Sequence, residues 1–219
     1  MKQMIPRHHD ALVRMAGTSV ALLLGTILIV QPGSPAGAAG QAAQVKDRNV
    51  AAMALTYDSL EAILRDLQNY KFDQGVGAPL ALRAWVFSHK DNPTARADCE
   101  TKLLAFLQAH PAPGGVMAAC RALRLIGSPD AVPVLEALLL KPETTDPARY
   151  AIEKIPGPEA DNALLSALGK TKGDVKRGIV SSIGERGMPG AAPALEKLVK
   201  GNDAALAGDA VKALARVGT

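Results

Sequence analysis

Aromatic residues are scarce in this chain: one Trp, three Tyr and three Phe in 219 positions. The apolar share is nonetheless 48%. It comes mainly from Ala, Leu, Val and Ile, and Ala is the commonest residue of all. That balance argues against a large β-sandwich, whose strands draw on aromatic and β-branched side chains. Ala and Leu favour helix instead. The apolar content is also too high for a chain disordered throughout.

A large excess of one charge is lacking as well. Lys and Arg number 25 against 21 Asp and Glu, a formal charge of +4. Lys2, Arg7, Arg14 and Asp10 fall within positions 1–38, so the remainder has 22 bases, 20 acids and a charge of +2. That is no electrostatic footprint for DNA or RNA.

Histidine and cysteine are nearly absent. Beyond His8 and His9 near the start, only His89, His110, Cys99 and Cys120 are available. A metal site needs three or four convergent ligands, so two isolated histidines near helix ends imply none. The chain has no nucleophile elbow, Rossmann glycine pattern, haem-attachment C-x-x-C-H or H-E-x-x-H. Gly169-Lys170-Thr171 resembles the tail of a phosphate loop, but Leu164 stands where its upstream Gly belongs and no strand precedes it. Nothing positive argues for catalysis, and the expectation is a non-enzyme without catalytic, cofactor or metal residues.

The stretch from Met1 to Ala38 reads as an address. Met1 to Arg14 is basic, Met15 to Val30 is an uncharged apolar run, and a small-residue stretch follows. This is the order of a secretory signal peptide. Ala36-Gly37-Ala38 places cleavage after Ala38, with a site near Ala43 as second choice. The alternative is a retained membrane anchor over 15–30. That run is shorter than the roughly 20 residues a spanning helix needs, and the uncharged flank can supply the difference. Either way the body faces an extracytoplasmic space, periplasmic or secreted. Residues 39–52 read as a flexible leader.

The body, 53–219, repeats. ALRLIG (122–127), AIEKIP (151–156), SIGERG (182–187) and ALARVG (213–218) share an apolar anchor at Leu123, Ile152, Ile183 and Leu214, with steps of 29, 31 and 31. A second motif keeps step: SPDAVPVLEALL (128–139) matches MPGAAPALEKLV (188–199) and, more loosely, PGPEADNALLSAL (156–168). Val132, Leu135 and Leu139 recur at one helical face. Pro marks helix starts at Ser128-Pro129, Asp146-Pro147 and Gly157-Pro158, and Gly127, Gly169, Gly187 and Gly218 sit where helices should end. Helices are predicted near 55–69, 79–90, 93–109, 114–126, 130–140, 147–155, 158–168, 173–183, 190–199 and 203–217. The fold class is all-α, an α-solenoid of about five stacked antiparallel hairpins.

AVPVLEALL (131–139), AAPALEKLV (191–199), ALRLIG and ALARVG resemble HEAT repeats, most closely the short class first associated with phycobilin lyases. The tetratricopeptide repeat fits less well, because its Trp-Leu-Gly-Tyr pattern is missing and its step is about 34. A longer stretch, from YKFDQGVGAPLA (70–81) through ARYAIEKIPGPEADNALLSALGKTKG (148–173), is similar to HEAT modules of exported bacterial proteins. The resemblance implies a scaffold for protein–protein binding, with a partner in the cell envelope. The alternative it raises is a lyase-like or cofactor-handling protein. The His-Glu pairs with which hydroxylase-type HEAT proteins bind iron are missing.

Three groups of residues stand out. Cys99 and Cys120 lie on apolar faces of consecutive helices, and in an oxidising compartment either a disulfide or two buried thiols is compatible with that placement. Tyr57, Tyr70, Phe72, Trp85 and Phe87 gather near the first hairpin, suited to sealing the end of a solenoid or to recognition. Lys170, Lys172, Lys176, Arg177, Lys197 and Lys200 make the C-terminal half locally basic, a solvated face or a docking patch for an acidic partner.

Overall fold

Proline and short polar side chains write the helix starts of this chain. The computed structural model describes residues 57–218, and these hold ten α-helices, two 3₁₀ turns and no strand. The signal peptide, the leader, the cleavage position and the alternative anchor all lie outside the described residues. The helices are α1 (Leu60–Leu67), α2 (Gly77–His89), α3 (Pro93–Gln108), α4 (Pro113–Ile126) and α5 (Val132–Leu139). They continue as α6 (Pro142–Ile152), α7 (Pro158–Lys170), α8 (Gly173–Arg186), α9 (Ala192–Val199) and α10 (Ala204–Val217). Ser59, Asn92 and Asp203 cap α1, α3 and α10 by accepting from the amides of Ala62, Ala95 and Leu206 at 3.2, 3.1 and 3.0 Å. Each cap satisfies a donor that the helix itself leaves unpaired.

Consecutive helices pair into five hairpins: α1 with α2, α3 with α4, and so on to α9 with α10. The hairpins stack, so the helices form two rows. The even row, α2, α4, α6, α8 and α10, is packed helix on helix along its whole length. In the odd row, α5 touches α3 and α7, while α1 and α3, like α7 and α9, barely meet. The even row is thus the more closely packed of the two, and because the closer-packed row of a curved stack is its concave one, the even row is termed the inner row. The all-α solenoid read from the repeats is the architecture observed.

Burial follows the ladder. Leu123, Ile152 and Ile183 are fully buried on the even helices, and Leu135, Leu164 and Leu195 on the odd ones. Each such side chain contributes about 1.5–3 kcal/mol when taken out of water. Pro133 and Pro193 fall in the first turns of α5 and α9, where no intrahelical N–H is lost. Matching 3₁₀ turns, Pro129–Ala131 and Pro189–Ala191, precede these two helices.

Several boundaries depart from the sequence expectation: α1 begins at Leu60 rather than near 55, α6 ends at Ile152 rather than near 155, α8 runs to Arg186 rather than 183, and two further departures follow from named contacts. Helix α6 begins at Pro142, not near Pro147, which sits within it. The Thr145 hydroxyl donates to the Leu139 and Lys141 carbonyls at 2.9 and 2.7 Å, and the Thr144 hydroxyl to the Leu138 carbonyl at 2.8 Å. These bonds fold the first turn of α6 against the end of α5 before Pro147 is reached. Gly169 does not end α7, which runs on to Lys170 and is closed by Thr171, whose hydroxyl donates to the Ala167 carbonyl at 2.7 Å. Gly187 does close α8, in the left-handed region at φ 62°.

Candidate functional site

The repeat step dictates what the inner side displays. Two residues before each anchor stand Arg121, Tyr150, Ser181 and Lys212, and all four are exposed. Two residues after each anchor stand Leu125, Lys154, Glu185 and Arg216, also all exposed. Positions i and i+4 share a helix face, so the two lines run side by side across α4, the end of α6, α8 and α10.

Polar contacts tie these helices at the same step. Arg124 of α4 bonds Glu153, just past α6, at 3.0 Å. Its guanidinium carbon lies 3.8 Å from the centroid of the Tyr150 ring, and one of its nitrogens donates to the Tyr150 carbonyl. Glu153 also accepts from the Ser182 hydroxyl at 2.9 Å, while Arg149 lies 3.6 Å from its carboxylate and 3.4 Å from Ser182. Arg177 of α8 pairs with Asp209 of α10 at 2.7 Å, and Arg216 of α10 with Glu185 of α8 at 2.6 Å. The Arg177 bond holds the Asp209 carboxyl below its ordinary range. Arg186 reaches the carbonyls of Ile152 and Ile155 at 2.7 and 2.6 Å and Asp161 at 2.6 Å, closing the C-terminal end of α6. Among the described residues no buried side-chain nitrogen or oxygen lacks a partner.

A hollow of about 340 Å³ opens between α8 and α10, lined by Arg177, Gly178, Ser181, Asp209, Lys212 and Arg216. Its wall is polar and mostly basic. A second hollow, about 260 Å³, lies toward the odd row between Leu107, His110, Val134 and Leu138, and is mostly apolar.

Charge is divided between the rows. Helices α2, α4, α6, α8 and α10 contain nine Lys and Arg against five Asp and Glu, a formal +4. Helices α1, α3, α5, α7 and α9 contain five against eight, a formal −3. The basic C-terminal half anticipated from sequence is thereby split. Lys176 and Arg177 belong to the even row, Lys170 and Lys197 to the odd row, and Lys172 and Lys200 to connections.

The five aromatics singled out in the sequence separate by role. Tyr70 is buried in the α1–α2 connection, its hydroxyl on the Gly75 carbonyl and its ring over Gly114. Tyr57 donates to Asp66 at 2.8 Å. Trp85 is half-buried and stacked on His89, with centroids 4.8 Å apart. Phe72 and Phe87 are exposed, Phe87 beneath the Arg83 guanidinium. Tyr150, the aromatic at the centre of the inner lines, was missed by sequence reasoning. Its signal was present, because it lies one repeat step from Arg121 and from Ser181.

Cys99 and Cys120 are both buried free thiols, and burial pushes them up to about 11 and about 12. Their pairing into a disulfide stays a proposal. His110 follows α3 in a left-handed conformation, φ 53°. Among the described residues no three His, Cys, Asp or Glu are grouped to hold a metal ion. No helix among them is long and apolar enough to cross a membrane.

No protein-family model matches the chain, and no curated protein matches it. Among solved structures, a designed armadillo repeat protein in complex with the peptide (KR)4 is similar to it at 18% identity. That similarity covers 82% of this chain and 94% of the other, with a TM-score of 0.44.

Proposed function

We propose that this chain is an exported, non-catalytic HEAT-type repeat module whose inner face binds a segment of a partner protein in the cell envelope. The observation that carries the reading is the pair of exposed lines on the even helices. They recur at the repeat step and combine cations, a ring and an aliphatic side chain on one continuous surface. Such a surface contacts an extended partner at many modest points, one set per repeat. The unit of about 30 residues and its two-helix form support HEAT-type repeats over tetratricopeptide repeats.

Export rests on the basic, apolar and small-residue order of segment 1–38. Intact mass of the exported protein tests it. A mass beginning at residue 39 supports cleavage after Ala38, and a mass beginning at Met1 supports the anchor over 15–30 instead.

Binding is tested by affinity capture of the tagged chain from envelope extract, with retained material identified by mass spectrometry. One dominant protein supports the scaffold reading. A pigment or small cofactor held at near-stoichiometric amount, without a protein, overturns it in favour of the lyase-like alternative.

A further inference from the structure

We infer that the inner face takes an acidic, extended polypeptide segment, with one of its carboxylates seated in the hollow between α8 and α10. This rests on the reading of that face as a protein-binding surface.

Segregation of charge comes first. A chain of formal charge only +4 places +4 on the even helices and −3 on the odd ones. Within the two exposed lines the asymmetry sharpens: Arg121, Lys154, Lys212 and Arg216 stand against Glu185 alone. Glu185 is already held by Arg216 at 2.6 Å. Arg121 and Lys154 have no ion-pair partner among the described residues.

The hollow adds a shaped receptor. Its acid, Asp209, accepts from Arg177 at 2.7 Å, and the Lys212 ammonium stands farther off at 3.5 Å with its side chain 78% exposed. Arg177 and Arg216 each keep guanidinium N–H groups beyond those used in their pairs. The Ser181 hydroxyl has no partner among the described residues. An incoming carboxylate would find the Lys212 ammonium, the N–H groups that Arg177 keeps beyond Asp209 and Asp174 and that Arg216 keeps beyond Glu185, and the Ser181 hydroxyl around one concavity, with Asp209 on its wall.

Spacing favours a polypeptide over a nucleic acid. Packed helices lie about 8–10 Å apart, and an extended chain advances about 3.3 Å per residue. A carboxylate at every third residue therefore meets one helix of the row after another. Nucleic acid, with a charge about every 1.7 Å of duplex axis, would bring many more phosphates along the row than Arg121, Lys154, Lys212 and Arg216 could meet.

The test uses the full chain and a fluorescein-labelled peptide of six Gly-Ser-Glu repeats, read by fluorescence anisotropy. Binding is expected, weakening as salt rises from about 50 to about 300 mM because these charges are exposed. The same peptide with Lys for Glu should not bind. Lys212→Glu and Arg121→Glu are each expected to raise the Kd about tenfold through lost electrostatic complementarity. Lys197→Glu, a same-sized charge change on the odd row, should leave it unchanged. Circular dichroism shows whether each variant remains folded. Failure of the Glu peptide to bind, or equal loss in Lys197→Glu, overturns the inference, as does tighter binding of an oligothymidylate of equal charge. Capture from envelope extract separates this failure from that of the broader reading. A protein retained equally by wild type and Lys212→Glu keeps the scaffold and overturns the acidic partner.

Discussion

The guanidinium carbon of Arg124 stands 3.8 Å from the Tyr150 ring centroid while the same group bonds Glu153 at 3.0 Å. One side chain from one repeat thus holds two from the next. Glu153 is almost wholly buried, its side chain only 8% exposed. Arg124→Ala is expected to remove the nearer of the carboxylate's two cationic partners, leaving Arg149 at 3.6 Å and the Ser182 hydroxyl, and to cost about 1–3 kcal/mol. Urea unfolding measures the loss, and a double-mutant cycle with Glu153→Gln gives the coupling. Simple additivity would mean the pair does not act together.

Arg186 is expected to resist replacement by Lys. Its guanidinium meets two carbonyls at the end of α6 and the Asp161 carboxylate together, and an ammonium cannot reproduce that fork. Arg186→Lys should lower stability by about 1–3 kcal/mol through orphaned acceptors. An unchanged thermal midpoint would show that water replaces those bonds.

Glycine positions separate into two kinds. A Cβ on Gly114 would stand 2.5 Å from the Tyr70 ring and 2.7 Å from its carbonyl oxygen, whereas one on Gly208 would meet nothing within 4 Å. Gly114→Ala is therefore expected to cost about 1–3 kcal/mol by forcing α4 away from the α1–α2 connection. Gly208→Ala, inside α10, is expected to stabilise by about 0.5–1 kcal/mol. Thermal melts of the two variants should shift in opposite directions.

The two cysteines bear on pH. Burial raises Cys99 from 9.0 to about 11 and Cys120 from 9.0 to about 12. Below pH 9 both the folded and the unfolded chain keep these protons. As pH rises from 9 toward 11–12, the unfolded chain releases protons that the folded chain retains, so stability falls. Neither thiol should react with iodoacetamide at neutral pH while the chain is folded. After unfolding without reductant, two titratable thiols are expected, and none would establish the disulfide.

Much of the architecture is legible in local pattern. The 29/31/31 step, the apolar anchors and the Pro and Gly positions locate ten helices and five hairpins, because helical periodicity and capping act within a few residues. The exceptions are instructive. Pro147 reads as a helix start, but two threonine hydroxyls bonded across to α5 move that start back to Pro142. Gly169 reads as a stop, but α7 continues to Lys170. The inner lines were written in the sequence at two residues on either side of each anchor.

Local pattern alone thus sets the repeat, the helix pairs and the buried stripe, since a period of about 3.6 residues assigns each apolar position to a face. Packing between hairpins settles the rest: which row of helices packs the more closely, and with it that the closely packed row is the basic one. It also puts Tyr150, rather than the N-terminal cluster, at the centre of the display. Those outcomes depend on how closely one hairpin sits on the next. That closeness is set by contacts such as Tyr70 on Gly114 and Arg124 on Glu153, which join separate repeats and so lie beyond the reach of any local pattern.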